Sequence, residues 1–195
     1  MKRVGLLGGT FDPPHRGHLS IAKSAIQSLS LDEVWFIPTY EPPHKNKAVT
    51  KSSDRVRMLQ LMITGEEKLD IHTIEIERKG KSYTIDTINE LKKLYPNVQF
   101  YFIIGGDQVE TLQSWHRIND LLEKVQFVGV ERPGYHWKQH SRVKKLIVPN
   151  MDVSSTVIRH KIYQGESVKH LIEENVYAYI KEQQLYGYRK GSPTS

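Results

Sequence analysis

Residues 4–18 have the sequence V-G-L-L-G-G-T-F-D-P-P-H-R-G-H, in which an apolar run is followed by a glycine pair, two prolines and two histidines. The apolar run, residues 4–7, is short enough for one buried strand. Gly8 and Gly9 end it without side chains that would keep a ligand from the backbone. The two prolines remove backbone donors and stiffen the connection. The stretch therefore predicts that His15 and His18 are presented from a rigid turn after a strand.

The residues that follow Gly17 indicate a helix that begins near His18. Apolar side chains recur there at positions 19, 22, 26 and 29, the spacing of one helical face. The first N–H groups of a helix lack internal partners and its dipole is positive at that end, so an anion is favoured. Two histidines three positions apart in a first turn face the same side and can converge on one oxyanion. The alternative is that each histidine is a cap or a surface residue.

This stretch differs from the two familiar glycine-rich phosphate motifs. It contains no G-x-x-x-x-G-K-[ST], and Gly5, Gly8 and Gly9 do not form G-x-G-x-x-G. Neither a P-loop kinase nor an NAD-dependent dehydrogenase is therefore indicated.

The rest of the chain alternates strand-like and helix-like segments. Strands are predicted at residues 33–39, 69–77, 98–104, 126–130 and 142–148, and helices at 52–63, after Thr84, from 118, after 154–156 and over 170–186. This alternation predicts an α/β fold: a Rossmann-like open parallel sheet with helices on both faces, in which residues 98–104 form a central strand. We expect a single domain over residues 1–190 and a frayed tail over residues 191–195.

Composition excludes several classes of site and partner. The 195 residues include no cysteine, so a disulfide framework, a thiolate zinc site and a cysteine nucleophile are excluded. The sequence has no signal-peptide pattern and no run of about 20 apolar residues, which predicts a cytoplasmic protein without a membrane partner. A formal net charge of +6 suits any anionic partner. The basic residues 136–145 contain no RNA-binding motif, so no nucleic-acid partner is predicted.

Two further segments place polar groups after glycines or at a helix start. Gly105 and Gly106 follow the central strand and permit close backbone approach, and Asp107 can accept hydrogen bonds from ribose hydroxyls or help to hold a metal. The alternative for Asp107 is a turn or helix cap. Residues 153–159, V-S-S-T-V-I-R, predict a capped helix start with Arg159 one turn along, where its fork can grip a phosphate.

Residues 8–18, G-G-T-F-D-P-P-H-R-G-H, resemble the H-x-G-H signature of the nucleotidyltransferase superfamily, in the longer form found in bacterial nicotinate mononucleotide adenylyltransferases. Residues 153–159 are similar to that family's I-S-S-T-x-I-R motif, which binds the triphosphate of ATP. The resemblance implies adenylyl transfer from ATP to nicotinate mononucleotide, which forms deamido-NAD and pyrophosphate in NAD biosynthesis. It also implies Mg2+ bound with ATP, small-molecule substrates and a homo-oligomer.

The resemblance, together with the reasoning above, assigns residues to two sides of one site. The ATP side comprises Gly8, Gly9, Thr10, Phe11, His15, His18, Gly105, Asp107, Ser154, Ser155 and Arg159. The acceptor side comprises Lys45, Thr84, Trp115, His116 and Arg132, with His44 as a weaker candidate. No residue is assigned as a direct metal ligand. The alternatives are a solvated loop for Lys45, a plain helix cap for Thr84, a core or interface aromatic for Trp115 and a surface residue for Arg132.

The implied reaction is an in-line attack by the 5′-phosphate of the mononucleotide on the α-phosphorus of ATP. A phosphate monoester has a second pKa of about 6, so it needs no general base at neutral pH. We assign His18 to the α-phosphate and His15 to the phosphates near it, both as catalytic residues. The two serines and Arg159 are assigned to the β and γ groups, with Mg2+ bridging them.

Rival functions remain open at this point. A pantetheine-phosphate adenylyltransferase or a glycerol-phosphate cytidylyltransferase shares the H-x-G-H core, although the Y-T and S-W segments favour a pyridine nucleotide. Class I aminoacyl-tRNA synthetases also use H-x-G-H, but this chain is short and lacks K-M-S-K-S. A non-catalytic binder with this fold would bind ATP and release no pyrophosphate. Neither the preference for nicotinate over nicotinamide nor the oligomeric state follows from the sequence.

Overall fold

The computed structural model describes residues 1–41, 48–131, 137–138, 140–149 and 152–188. Its strands are β1 (Lys2–Gly9), β2 (Glu33–Pro38), β3 (Leu69–Ile71), β4 (Val98–Gly105), β5 (Gln126–Glu131) and β6 (Val143–Ile147). Its α-helices are α1 (Arg16–Leu29), α2 (Ser52–Met62), α3 (Ile74–Arg78), α4 (Thr84–Leu94), α5 (Gly106–Glu110), α6 (Ile118–Lys124), α7 (Ser155–Gln164) and α8 (Glu174–Glu182). Two 3₁₀ turns occupy Leu112–Ser114 and Leu185–Gly187.

The strands form one sheet in the order β3-β2-β1-β4-β5-β6, and every neighbouring pair is parallel. The chain first adds strands to one side of β1 and then crosses over to place β4 on its other side. The point between β1 and β4 is therefore the topological switch point, where open α/β sheets bind ligands at the carboxyl ends of their strands. The predicted Rossmann-like parallel sheet is confirmed.

The sheet buries side chains on both faces because alternate residues of a strand point to opposite sides. In β1, Leu7 belongs to a core cluster shared with α1, α2, α7 and α8, whereas Leu6 belongs to a second cluster shared with α3 to α6. Strand β4 divides in the same way, with Ile103 in the first cluster and Phe102 in the second. The prediction of helices on both faces is thus confirmed, and β4 lies in the middle of the sheet.

Two predicted elements are wrong in extent. The strand predicted over residues 69–77 ends at Ile71, and residues 74–78 form α3 instead. The segment I-E-I-E-R alternates like a strand, but Glu75 turns inward to accept a hydrogen bond from Thr87 of α4. That contact joins α3 to the next helix, α4, 12 residues further along the chain, so alternation within residues 69–77 could not indicate it.

The helix predicted over residues 170–186 is shorter, because α8 begins at Glu174 and ends at Glu182. Before it, the carbonyl of Leu171 accepts the first N–H of α1, from Arg16, at 2.9 Å. Leu171 and Ile172 are buried in the first core cluster without being helical. The predicted tail at residues 191–195 lies outside the described residues, and the single domain over 1–190 stays a prediction.

A single methyl group on Gly5 of β1 should destabilise the fold. A Cβ there would lie 2.9 Å from Leu31 Cδ1 and 2.9 Å from Val34 Cγ2, and the β-branched valine cannot rotate away easily. We expect Gly5→Ala to lower the free energy of unfolding by about 1–3 kcal/mol, measured by urea denaturation.

Gly8→Ala, in the same strand, is the matched control. Its Cβ would make an ordinary contact, 3.7 Å from Phe102 Cζ, so its free energy of unfolding should change by less than about 1 kcal/mol. An equal loss of stability in both variants would contradict the packing argument.

Candidate active site

Two glycines end the two strands that flank the switch point, and sequence analysis assigned both to the ATP side. A Cβ on Gly9, at the end of β1, would lie 2.9 Å from the buried ring of Phe11, which is a severe overlap. A Cβ on Gly105, at the end of β4, would lie 2.5 Å from Asp107 Oδ1, but that exposed side chain can rotate away. Gly9 is therefore needed for the turn after β1, where Phe11 folds back over the strand end.

The two histidines converge as predicted. His15 is the N-cap of α1 and His18 lies in its first turn, with ring centroids 3.7 Å apart and ring planes 22° from parallel. Gly17 is needed between them, since a Cβ there would lie 3.0 Å from His15 Nδ1 and 2.9 Å from Val153 Cγ1. The pattern H-x-G-H thus produces a stacked pair of imidazoles at the start of a helix beside the switch point.

The hydrogen bond between the two histidines determines which ring nitrogen of neutral His18 carries the proton. The backbone N–H of His15 donates to His18 Nδ1 at 3.2 Å. A neutral imidazole that accepts at Nδ1 carries its proton on Nε2. His18 therefore has the tautomer that can donate to an oxyanion through Nε2.

Two backbone N–H groups at the start of α1, where the sequence predicts an anion site, already have acceptors inside the protein. The N–H of Arg16 donates to the carbonyl of Leu171, and the N–H of His18 donates to the carbonyl of His15, both at 2.9 Å. Two first-turn donors are therefore used inside the protein. At this end of α1 the imidazoles, rather than those N–H groups, are the donors suited to a phosphate.

Phe11 packs against the ring of His18. Its side chain is 2 % exposed, and its ring meets the His18 ring edge-on at a centroid distance of 4.9 Å. It also packs edge-on against Phe36 of β2 at 5.5 Å, and its φ of 53° is in the left-handed region. Its assignment to ATP binding stays a prediction, and the structure gives its side chain a packing role under His18.

The carboxylate of Asp12 anchors the loop between β1 and α1. It is 2 % exposed and accepts four hydrogen bonds. Its Oδ1 accepts from Thr50 Oγ1 and from Tyr186 Oη, each at 2.6 Å, and its Oδ2 accepts from the N–H groups of Val49 (2.6 Å) and Thr50 (3.2 Å). A carboxylate has about four acceptor sites, so all of them are used. Sequence analysis assigned no role to Asp12 or Tyr186.

Side chains from α2 and α7 hold the carbonyl groups of the same loop. Arg55, which is 1 % exposed, donates from Nη1 to the carbonyl of Thr10 at 2.7 Å, and burial lowers its pKa from the ordinary value. Arg159 Nη1 donates to the carbonyl of Asp12, and Ser155 Oγ donates to the carbonyl of Pro13, both at 2.8 Å. The loop is thus clamped by three side chains that are distant in sequence.

The predicted motif at residues 153–159 lies beside the loop that carries the two histidines. Ser154 is the N-cap of α7 and accepts from the N–H of Val157 at 3.3 Å, as its sequence predicts. Ser155 and Arg159 reach the histidine loop by the contacts described above. The structure therefore brings the two motifs together, while the assignment of these residues to the phosphates of ATP stays a prediction.

A cavity of about 540 Å³ opens between the carboxyl ends of β1 and β4 and the start of α4. The predicted site residues that line it are Gly8, Gly9, Thr10, Thr84, Asp107, Trp115 and His116. Trp115 is half-buried and meets the rings of Phe102 and Phe127 edge-on, each at 6.1 Å, so the core fixes its orientation. His116 is exposed at the rim, with its ring 4.9 Å from that of Tyr83.

Sequence analysis missed the buried carboxyl group of Glu75 in the wall of this cavity. Thr87 Oγ1 donates to Glu75 Oε1 at 2.8 Å and accepts from Arg78 Nη2 at 2.9 Å. Burial raises the pKa of Glu75, while hydroxyl groups, that of Thr87 first, act in the opposite direction. Residues 69–77 were interpreted as a strand, and no motif singled out this position.

Three candidates cannot be placed, because Lys45, His44 and Arg132 lie outside the described residues. Within the described ranges, no group of three or more histidine, cysteine, aspartate or glutamate side chains is arranged to hold a metal ion. In the same part of the chain, no helix is both long and apolar enough to cross a membrane.

The raised pKa of Glu75 predicts a pH-dependent stability. The carboxyl group of Glu75 has a higher pKa in the folded protein than in the unfolded chain, where its reference pKa is 4.5. The stabilising contribution of the protonated form is therefore complete below pH 4.5 and is lost as the pH rises through the folded pKa. We expect wild-type protein to lose stability relative to Glu75→Gln as the pH rises, measured as urea unfolding free energies between about pH 4 and pH 8.

Glu67→Gln, at an exposed position, is the control for the loss of one negative charge. If the difference between wild-type protein and Glu75→Gln did not change across this range, the burial argument for Glu75 would be wrong.

Comparisons with known proteins agree with this geometry. Residues 6–161 match the family model described as cytidylyltransferase-like. The chain is 49% identical over 192 residues to the probable nicotinate-nucleotide adenylyltransferase of Geobacillus kaustophilus, which covers 98% of this chain and 89% of that protein. It is 47% identical over 188 residues to the protein of the same name from Oceanobacillus iheyensis, with 96% and 98% covered.

Solved structures share the fold. The Plasmodium falciparum nicotinic acid mononucleotide adenylyltransferase complexed with NaAD superposes with a TM-score of 0.79 at 23% identity, covering 97% of this chain and 99% of that chain. A putative nicotinate-nucleotide adenylyltransferase from Vibrio parahaemolyticus gives 0.71 at 19% identity, with 95% and 96% covered. At such identities the structures show the architecture alone, and the family follows from the close sequence relatives. The chain belongs to the cytidylyltransferase-like family and, within it, to the nicotinate-nucleotide adenylyltransferases.

Proposed function

We propose that this protein transfers the adenylyl group of ATP to nicotinate mononucleotide and releases pyrophosphate, forming deamido-NAD. The observation that carries the proposal is the stacked pair of His15 and His18 at the start of α1, on a loop whose residues Gly9 and Thr10 line a cavity with an aromatic wall, in a chain of this family. The relatives named above carry the same activity in their names. The proposal places the chain in NAD biosynthesis.

The reaction requires positioning and charge stabilisation more than proton transfer. The 5′-phosphate of the mononucleotide forms a bond from one of its oxygens to the α-phosphorus of ATP, and the bond from that phosphorus to pyrophosphate breaks. Because the second pKa of a phosphate monoester is about 6, the nucleophile is already mostly dianionic at neutral pH. The protein must therefore align the two phosphates and stabilise the charge that builds on the α-phosphoryl oxygens.

His18 is suited to stabilising the charge that builds on the α-phosphoryl oxygens. In its neutral form the N–H is at Nε2, because Nδ1 accepts from the backbone of His15. Phe11 and His15 pack on the ring and fix its plane, so the donor is preorganised. A preorganised donor aimed at a developing oxyanion stabilises the transition state more than the ground state. We propose that His18 contacts the α-phosphate and His15 the phosphates beside it.

The start of α7 is suited to the β and γ phosphates. Its positive dipole end and the hydroxyl group of Ser154 favour an anion, whereas the Ser155 hydroxyl donates its one proton to the carbonyl of Pro13. Arg159 uses Nη1 for the carbonyl of Asp12 and Nη2 for Thr156 Oγ1, but a guanidinium has five N–H donors. The same arginine can therefore hold the loop and contact a phosphate.

The acceptor fits the other side of the cavity. We propose that Trp115, whose ring meets two core phenylalanines edge-on, stacks on the pyridine ring. Thr84 begins α4, whose dipole favours a carboxylate at that end, and His116 lies at the rim. These features support a nicotinate acceptor, with Lys45 and Arg132 as further candidates for its phosphate.

Magnesium is proposed to enter with ATP. The four acceptor sites of Asp12 are filled, and the described residues form no metal cage. Mg2+ commonly keeps several waters and binds mainly through the phosphates of its nucleotide. Bound there, it would neutralise charge on the triphosphate. A cytoplasmic location and a homo-oligomer stay predictions.

The decisive experiment is pyrophosphate release from Mg-ATP with nicotinate mononucleotide, nicotinamide mononucleotide or phosphopantetheine as separate acceptors. Rapid turnover with nicotinate mononucleotide alone supports the proposal. Turnover with phosphopantetheine would assign another adenylyltransferase activity. ATP binding without release in any reaction would show a non-catalytic nucleotide binder.

The role of His18 predicts a specific kinetic defect. His18→Ala removes one oxyanion donor, so kcat should fall by about two to three orders of magnitude, measured as steady-state pyrophosphate release. His170→Ala, at an exposed position in the described chain, is the control and should retain wild-type kcat. If His18→Ala raised KM and left kcat unchanged, His18 would be a binding residue and not a catalytic one.

A further inference from the structure

The anchor at Asp12 connects three parts of the chain that are far apart in sequence. Val49 and Thr50 supply three of its four donors, from the segment that follows residues 42–47. The fourth donor is the hydroxyl of Tyr186, 174 residues away. This last contact ties the 3₁₀ turn Leu185–Gly187 to the loop before α1.

Tyr186 is held in a backbone conformation that a non-glycine residue seldom adopts. It lies in the 3₁₀ turn Leu185–Gly187 with φ 59° and ψ 26°, and the preceding Gln184 has φ 51°. Left-handed backbone at a non-glycine residue is unfavourable and persists where surrounding contacts hold it. The hydroxyl of Tyr186 reaches Asp12 Oδ1 at 2.6 Å and lies 3.9 Å from Met58 Sδ. The turn therefore aims the phenol at the carboxylate.

The loop offers a short and stiff path from Asp12 to the histidines. Only Pro13 and Pro14 separate Asp12 from His15, and proline fixes φ near −65°. All three residues before His15 are buried. A displacement of Asp12 would consequently be passed to the imidazole pair and not absorbed by rotation of the intervening backbone.

We propose that Tyr186 is a positioning residue, which acts through Asp12 to fix the loop that presents His15 and His18, so that the C-terminal turn sets the rate of the transfer step. The inference rests on the proposed function, since the rate in question is that of adenylyl transfer. Burial and the charge of Asp12 raise the pKa of Tyr186, so its hydroxyl keeps the proton that it donates.

A second tyrosine provides a matched control. Tyr179 on α8 donates from its hydroxyl to Asp54 Oδ1 at 2.9 Å, which is also a tyrosine–aspartate hydrogen bond from the C-terminal segment. Asp54, however, belongs to α2 and lies outside the histidine loop. Tyr179→Phe and Tyr186→Phe remove the same chemical group and leave the ring in place. They differ in whether the aspartate anchors the loop.

The first readout is kinetic. We expect Tyr186→Phe to lower kcat by about tenfold, with KM for both substrates within about twofold, because the oxyanion donors are misplaced while the substrate contacts remain. We expect Tyr179→Phe to keep kcat within about twofold of wild type, although it loses a comparable hydrogen bond. Equal kcat losses in the two variants, or no loss in Tyr186→Phe, would overturn the proposal.

The second readout does not require activity. Hydrogen exchange followed by mass spectrometry should show faster exchange over residues 8–18 in Tyr186→Phe, and unchanged exchange there in Tyr179→Phe. Wild-type protein that releases no pyrophosphate would contradict the proposed function alone, and the exchange comparison would still decide the positioning role. Unchanged exchange over residues 8–18 in Tyr186→Phe would overturn that role.

Discussion

The parallel pairing of β1 with β4 is the constraint on which the site depends. These strands are far apart in the chain, and their pairing places Leu7 opposite Ile103 and sets two glycine-containing turns side by side. Because β1 and β4 are parallel, the helices that follow them begin at the same edge of the sheet, α1 on one face and α5 on the other. Without this crossover, Gly9 and Thr10 after β1 and Asp107 after β4 would not line one cavity.

Polar contacts then give the histidine loop its shape, because the sheet determines only where it starts. Asp12 and Arg55 are buried, and an unpaired buried charge costs several kcal/mol. Asp12 offsets that cost with four hydrogen bonds, and Arg55 donates to the Thr10 carbonyl. Loss of one of these donors or acceptors would leave a buried charge with fewer hydrogen bonds, so the contacts favour one conformation of the loop. That rigidity suits a site that stabilises charge without moving protons.

The sequence predicted the elements whose determinants are local. The apolar run of residues 4–7, the Ser154 cap and the spacing of His15 and His18 each depend on neighbours within one helical turn or one strand. The bond from Tyr186 to Asp12 joins residues 174 positions apart, and no pattern in a single sequence encodes such a pair. The same limit explains α3, where a buried contact between Glu75 and Thr87 determined the conformation of an alternating segment.

Arg159 shows why the two motifs occur together in one chain. Its Nη1 holds the carbonyl of Asp12, so α7 supports the loop even before a nucleotide is bound. A phosphate that met the remaining donors of the same guanidinium would strengthen the positive end of α7 as an anion site and leave the loop contact intact. A lysine has three donors on one flexible ammonium and cannot span a carbonyl and a phosphate in a fixed plane. The proposed phosphate contact would therefore require a planar fork at position 159, because the same side chain already holds the carbonyl of Asp12.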